Sequence, residues 1–192
     1  MSRAVILLAA VLASAGAATA RAEPLPDQGV AAAVGAATGG RLTPGGVRVT
    51  GHYLYQLSSQ DWFDGTAVFT FGSAQAACFR DRADAVVCNH GLADGTGLEL
   101  SAGVRRMFAP QGRYQPFARA AVGFALMRFG GDEVTGAGIP LHLGGGIRAR
   151  VSKDLAVVAN GELLVGFAAF NRNLGVAPQI GLAITAGAEF RL

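Results

Sequence analysis

Lysine is nearly absent from this chain: Lys153 is the only one in 192 residues. Charged residues make up 15% of the sequence against 51% apolar ones, whereas soluble domains carry a mixed Lys/Glu surface with about 25% charged residues. That shortage argues against an ordinary water-facing coat. Sixteen basic residues against thirteen acidic ones leave a formal net charge of +3, too weak an imbalance to indicate a nucleic-acid partner. Long apolar runs are also missing beyond the N-terminus. The richest later stretch, Leu155 to Phe170, is interrupted by Asn160 and Glu162, so no transmembrane helix is expected. High apolar content without a helical span leaves a barrel or a heavily buried soluble sheet.

The N-terminus reads as a targeting segment. Arg3 supplies a positive start, Ala4 to Ala17 is a short Ala-rich apolar stretch, and two small-x-small sites follow at Ala18-Thr19-Ala20 and Ala20-Arg21-Ala22. Residues 1–22 are therefore expected to be a signal peptide cleaved after Ala20 or Ala22, leaving a single exported domain over 23–192. No Cys stands at the cleavage region, so a lipoprotein anchor is not supported. Cys78 and Cys88, the only cysteines, are separated by turn-forming residues. In an exported chain they read as one local disulfide, since metal binding needs more ligands than His90 adds.

What the sequence has in quantity is alternation. Strand-like segments fall near 29–38, 45–57, 62–75, 96–108, 115–130, 138–151, 155–169 and 176–192, separated by turn signals such as Pro44-Gly45-Gly46, Ser58-Ser59-Gln60-Asp61, Pro110-Gln111-Gly112 and Ser152-Lys153-Asp154. In the fifth segment Ala118, Ala120, Val122, Phe124 and Leu126 oppose Arg119, Ala121, Gly123 and Ala125. In the last, Ile180, Leu182, Ile184, Ala186, Ala188, Phe190 and Leu192 oppose Gly181, Thr185, Gly187, Glu189 and Arg191. A period of two with one apolar face is a half-buried strand. An even count of antiparallel strands suits an up-and-down barrel, because closure removes exposed edges.

The second face is mostly Gly, Ala, Thr and Ser with a few charges. It is too sparsely charged for a soluble exterior and small enough for the interior of an eight-stranded barrel, which points the apolar face at lipid. A soluble barrel with the opposite orientation is the competing architecture. Tyr53, Tyr55, Trp62, Phe63, Phe108, Tyr114, Phe129, Phe170 and Phe190 lie near segment ends, as an aromatic girdle requires. With both termini on one side, the connections at 58–61, 109–114 and 152–154 share that side. Those near 39–44, 76–95, 130–137 and 170–175 lie on the other, and 76–95 is the longest.

The terminal Phe190-Arg191-Leu192, the alternating segments and the loop asymmetry together resemble the small outer-membrane β-barrel superfamily, the group of OmpA-like, OmpX/Ail-like and OmpW-like barrels. The resemblance implies an all-β, eight-stranded antiparallel up-and-down transmembrane β-barrel in a Gram-negative outer membrane. It also implies contact with outer-membrane lipids and lipopolysaccharide, periplasmic chaperones and the β-barrel assembly machinery, which would read Phe190 and Leu192 in the last strand. A monomer without cofactor is expected, and no peptidoglycan-binding domain is expected after Leu192.

Inside such a barrel, Arg48, His52, Glu99, Arg105, Arg119, His142, Arg148, Arg150, Glu162, Glu189 and Arg191 are expected to form a polar network, because isolated charges there are costly. The leading reading is a plugged barrel with a structural or surface-interaction role and a disulfide-stapled outer loop at 76–95 that meets an external partner. The alternative is a narrow pore favouring anions, since basic lumen residues outnumber acidic ones. A lipid A-modifying enzyme stands behind it. The deacylases of that kind place His and Ser two residues apart on one strand, whereas here Gly144 follows His142 and Leu54 follows His52 at that spacing. Arg106 and Arg128 fall on the lipid-facing parity near segment ends, and Arg128 with Arg80 and Arg82 is expected to meet lipopolysaccharide phosphates.

Overall fold

The computed structural model describes residues 27–38, 42–72, 95–129, 134–171 and 173–192, and the backbone alone of 73, 77–80, 86–89 and 94. The signal peptide expected at 1–22, Arg82 and His90 lie outside the described residues. In chain order the strands are β1 (Gln28–Thr38), β2 (Gly46–Gln56), β3 (Asp61–Ser73), β4 (Ala77–Arg80), β5 (Val86–Asn89), β6 (Asp94–Met107), β7 (Tyr114–Phe129), β8 (Val134–Arg150), β9 (Leu155–Phe170) and β10 (Gly175–Arg191).

Eight of them close into one barrel in the order β1-β2-β3-β6-β7-β8-β9-β10, and every neighbouring pair is antiparallel. Closure runs through β1 and β10, in register from Gly29 opposite Arg191 to Thr38 opposite Leu182. The seam continues past the last strand residue, where the Leu192 amide donates to the Gln28 carbonyl at 2.9 Å. With no free edge, the wall pairs its backbone strand to strand, as a lipid environment demands, with one break in the β7–β8 register between Val122 opposite Leu141 and Ala125 opposite Gly138.

The side-chain distribution is inside out. Along β7, exposed and buried residues alternate almost without interruption, and the exposed set is apolar: Val122, Phe124 and Leu126 on β7, Leu98 and Leu100 on β6, Ile139, Leu141 and Leu143 on β8, Ile180, Leu182 and Ile184 on β10. The buried set is largely polar and includes Arg48, Asp64, Glu99, Arg105, Arg119, His142, Arg148, Glu162 and Glu189. A water-soluble barrel has the opposite arrangement. A transmembrane β-barrel has this one.

The turns at the end carrying the described termini are short and locally determined. Ser58 Oγ accepts the amides of Gln60 and Asp61 at 3.2 and 2.9 Å, and Ser152 Oγ accepts the amide of Leu155 at 3.2 Å. These side chains stand in for a missing ladder partner where the chain reverses.

Three sequence expectations are corrected. The long 76–95 connection is not one open loop: β4 and β5 form a two-stranded ladder of their own, with Cys78 directly opposite Cys88. No disulfide is present among the described residues, so the disulfide-stapled loop is withdrawn. The backbone ladder accounts for the pairing of these segments, and the side chains of both cysteines lie outside the described residues. Finally, the aromatic girdle loses two members at the loop-bearing mouth, where Phe129 and Phe170 face inward and are almost fully buried. Trp62 turns inward as well, against Met107, Phe117 and Val158 near the opposite end. Tyr53, Phe108, Tyr114 and Phe190 remain on the outer surface.

Candidate functional site: a braced and corked lumen

An apolar layer blocks the loop-bearing end of the lumen. Leu42, in the β1–β2 connection, is only 4% exposed and packs with Met127, Phe129, Val134, Ala168 and Phe170. The Phe129 and Phe170 rings lie 6.2 Å apart and tilted by 49°, a favourable offset geometry. Thr43 beside Leu42 is buried too, and its hydroxyl donates to Gln179 Oε1 at 2.8 Å. Leu42 and Thr43 therefore fill the mouth as a cork.

Below the cork the polar side chains of seven strands meet at the barrel axis. Glu162 on β9 receives Arg48 Nη2 from β2 at 2.8 Å and Arg119 Nη1 from β7 at 2.7 Å. Arg119 also reaches Asp64 Oδ2 on β3 at 3.2 Å and donates through Nη2 to Thr66 and Ser101. Asp64 takes Arg105 from β6 at 2.8 Å, and Arg105 spans the lumen to Glu189 Oε2 on β10 at 3.1 Å. Arg148 Nε on β8 closes the chain on Glu189 Oε1 at 2.6 Å, and its Nη1 donates to Gln115 at 2.5 Å. The Arg105 guanidinium is also stacked 4.6 Å from the Phe117 ring centroid.

His142 is held between two carboxylates: Nδ1 lies 2.8 Å from Glu162 Oε1 and Nε2 lies 2.7 Å from Glu99 Oε1. The Nδ1 contact is a hydrogen bond, whereas Nε2 and Glu99 Oε1 are close without hydrogen-bond geometry. His52 Nδ1 lies 2.8 Å from Asp64 Oδ1 and 3.0 Å from the Thr66 hydroxyl. Every buried carboxylate of the lumen thus has a basic side chain beside it, and Arg105, Arg119 and Arg148 are each shared between acceptors. Ionised groups are tolerated in a narrow interior only in such a paired, hydrogen-bonded state.

The structure brings together Arg48, His52, Glu99, Arg105, Arg119, His142, Arg148, Glu162 and Glu189. It does not bring in Arg150 and Arg191. Arg150 Nη2 donates to the Gln111 carbonyl at 2.5 Å, and Arg191 Nη2 pairs with Asp27 Oδ2 at 2.5 Å, both at the rim. It adds Asp64, Thr66 and Gln115, absent from the sequence expectation, and Ser101 as a hydrogen-bond partner of Arg119. The consequence is electrostatic. Four guanidinium groups, from Arg48, Arg105, Arg119 and Arg148, meet four carboxylates, from Asp64, Glu99, Glu162 and Glu189. Within this central network the arginine excess on which an anion-favouring pore rested is absent.

Nor, among the described residues, do His52 and His142 meet a serine hydroxyl. The Ser101 hydroxyl contacts Arg119, while both histidines face carboxylates. Among the described residues no group of three or more His, Cys, Asp or Glu is placed to hold a metal ion. On the outer wall, Arg106 Nη2 donates to Gln60 at 3.2 Å near the short turns. Arg128 stands at the loop-bearing end over a recess lined by Leu98 and Leu126. Phe190 and Leu192 are exposed on the lipid-facing side of the closing seam.

No protein-family model matches the chain, and no curated protein matches it. Among solved structures, it is similar to Neisserial surface protein A, with 14% identity and a TM-score of 0.63 over 87% of this chain and 97% of that one. A major outer membrane protein from Thermus thermophilus shares 12% identity and a TM-score of 0.55 over 87% and 99% of the two chains. Ail, the attachment invasion locus protein of Yersinia pestis, shares 12% identity and a TM-score of 0.50 over 87% and 100%. The chain has the fold of the small outer-membrane barrels.

Proposed function

We propose that this protein is an outer-membrane barrel that acts through its body and its surface loops, as a structural or surface-interaction protein, and not as a conduit. The carrying observation is the double closure of the lumen, by the Leu42 cork and by the cross-braced arginines and carboxylates beneath it. An eight-stranded barrel has little free bore to begin with. The apolar belt fits a lipid environment, and two of the similar barrels are described as a surface protein and an attachment invasion locus protein. The same reading includes export with cleavage of residues 1–22, recognition of Phe190 and Leu192 by the assembly machinery, and contact of the outer wall with lipopolysaccharide near Arg128.

Planar-bilayer recording of the purified, folded protein tests it. The expected trace shows no discrete conductance steps. Reproducible steps that fall when Arg119 is replaced by Ala would establish a pore and overturn the plugged reading. Cell fractionation tests the location: the protein should leave the outer-membrane fraction only with detergent and show heat-modifiable gel mobility.

A further inference from the structure

Past the Glu189–Arg148 pair, the lumen widens into a cavity of ≈ 210 Å³ at the end opposite the cork. Gln56, Gln115, Arg148, Arg150, Glu189 and Arg191 line its polar side, and Trp62 and Met107 form an apolar wall. Its charges are not balanced as those of the central network are. Glu189 is already engaged by Arg148 at 2.6 Å and by Arg105 at 3.1 Å. Arg150 faces no carboxylate among the described residues, only the Gln111 carbonyl. Arg191 uses Nη2 on Asp27 and leaves its buried Nε without a partner.

We infer that this cavity is a binding site for a small anion, a carboxylate or phosphate, held by Arg150 and Arg191, with any apolar part of the ligand against Trp62 and Met107. Guanidinium groups carry several donors in a planar fork that matches both anions, and a partly enclosed site strengthens the attraction over that in water. The cork seals the far end, so the ligand enters and leaves by the same mouth. This is a site and not a path. That the mouth opens to the periplasm rests on the proposed outer-membrane orientation; the site itself does not.

Trp62 is the only tryptophan of the chain and lines the cavity, so its emission reports occupancy directly. The folded protein in nanodiscs, where both faces are accessible, is titrated with inorganic phosphate and separately with hexanoate at constant ionic strength. A saturable change with either anion is expected, phosphate alone marking a phosphate site and hexanoate alone an amphiphilic-carboxylate site. Arg150→Gln and Arg191→Gln should each raise the half-saturation concentration at least tenfold, and Arg106→Gln on the outer wall should leave it unchanged. Absence of saturation with both anions, or a half-saturation concentration in Arg150→Gln and Arg191→Gln unchanged from that of the unsubstituted protein, would overturn the inference. Heat-modifiable mobility of each variant shows that the barrel has formed. A failure of the outer-membrane reading would appear in fractionation and leave this titration untouched.

Discussion

Asp64 is the most heavily shared acceptor of the lumen: Arg105, Arg119, His52 and Thr66 all converge on its two oxygens. It is fully buried, so loss of its charge leaves two guanidinium groups short of an acceptor where water cannot replace it. Removing one member of a buried ion pair costs roughly 3–5 kcal/mol, and Asp64→Asn is expected in that range. Glu99 faces His142 alone, so Glu99→Gln should cost less, about 1–3 kcal/mol. Urea unfolding in phospholipid vesicles, followed by Trp62 fluorescence, measures both, and the order of the two variants is the decisive result. The glutamates and arginines were legible as lumen residues because their strands alternate cleanly. Asp64 was not, because β3 interrupts its pattern: Gly65 occupies an outward position and Val68 an inward one, so the Asp64, Thr66, Thr70 face is diluted. Applying the period of two through Phe63, Phe69 and Phe71 would have placed Asp64 inside.

At the level of the strand, the closing seam depends on glycine in a way that composition alone does not reveal. A Cβ at Gly187 would lie 2.0 Å from the Ala32 carbonyl oxygen, and one at Gly35 would lie 1.9 Å from that of Ile184. Both obstacles are backbone atoms, so no side-chain rotation relieves them, and β1 and β10 would have to separate locally. Gly187→Ala is therefore expected to destabilise the barrel by about 1–3 kcal/mol or more, as overpacking does, and to deplete the compact heat-modifiable band. Ala186→Gly, on the outward face of the same strand, is the control that leaves the band intact. The barrel strands were readable from alternation and turn residues, although β8 begins at Val134, inside what read as a loop over 130–137. The cork was not readable. Leu42 belongs to no strand, and only the closed barrel brings Phe129, Val134 and Phe170 around it.

For the whole molecule, the question is what solvent the wall was built for. Val122 is near the middle of β7 and 55% exposed, on a surface shared with Leu100, Phe124 and Leu141, whereas Val151 is 63% exposed at the end of the barrel beside the Ser152 turn. In water, arginine at either exposed position changes stability by roughly 0.5 kcal/mol or less. In a bilayer the two positions separate. An arginine at the midplane costs about 2–4 kcal/mol, while one near the interface costs about 0–1 kcal/mol because its long side chain reaches the headgroups. Val122→Arg is thus expected to lose a few kcal/mol of stability in vesicles and Val151→Arg almost none. A near-zero effect for both would mean that the belt faces water and that a soluble barrel, with an unexplained apolar coat, is the better description. The contrast between depths carries the test, since a local packing fault at Val122 would also persist in detergent micelles, whereas a depth-dependent lipid cost should shrink as the thinner, more deformable micelle lets water reach the guanidinium.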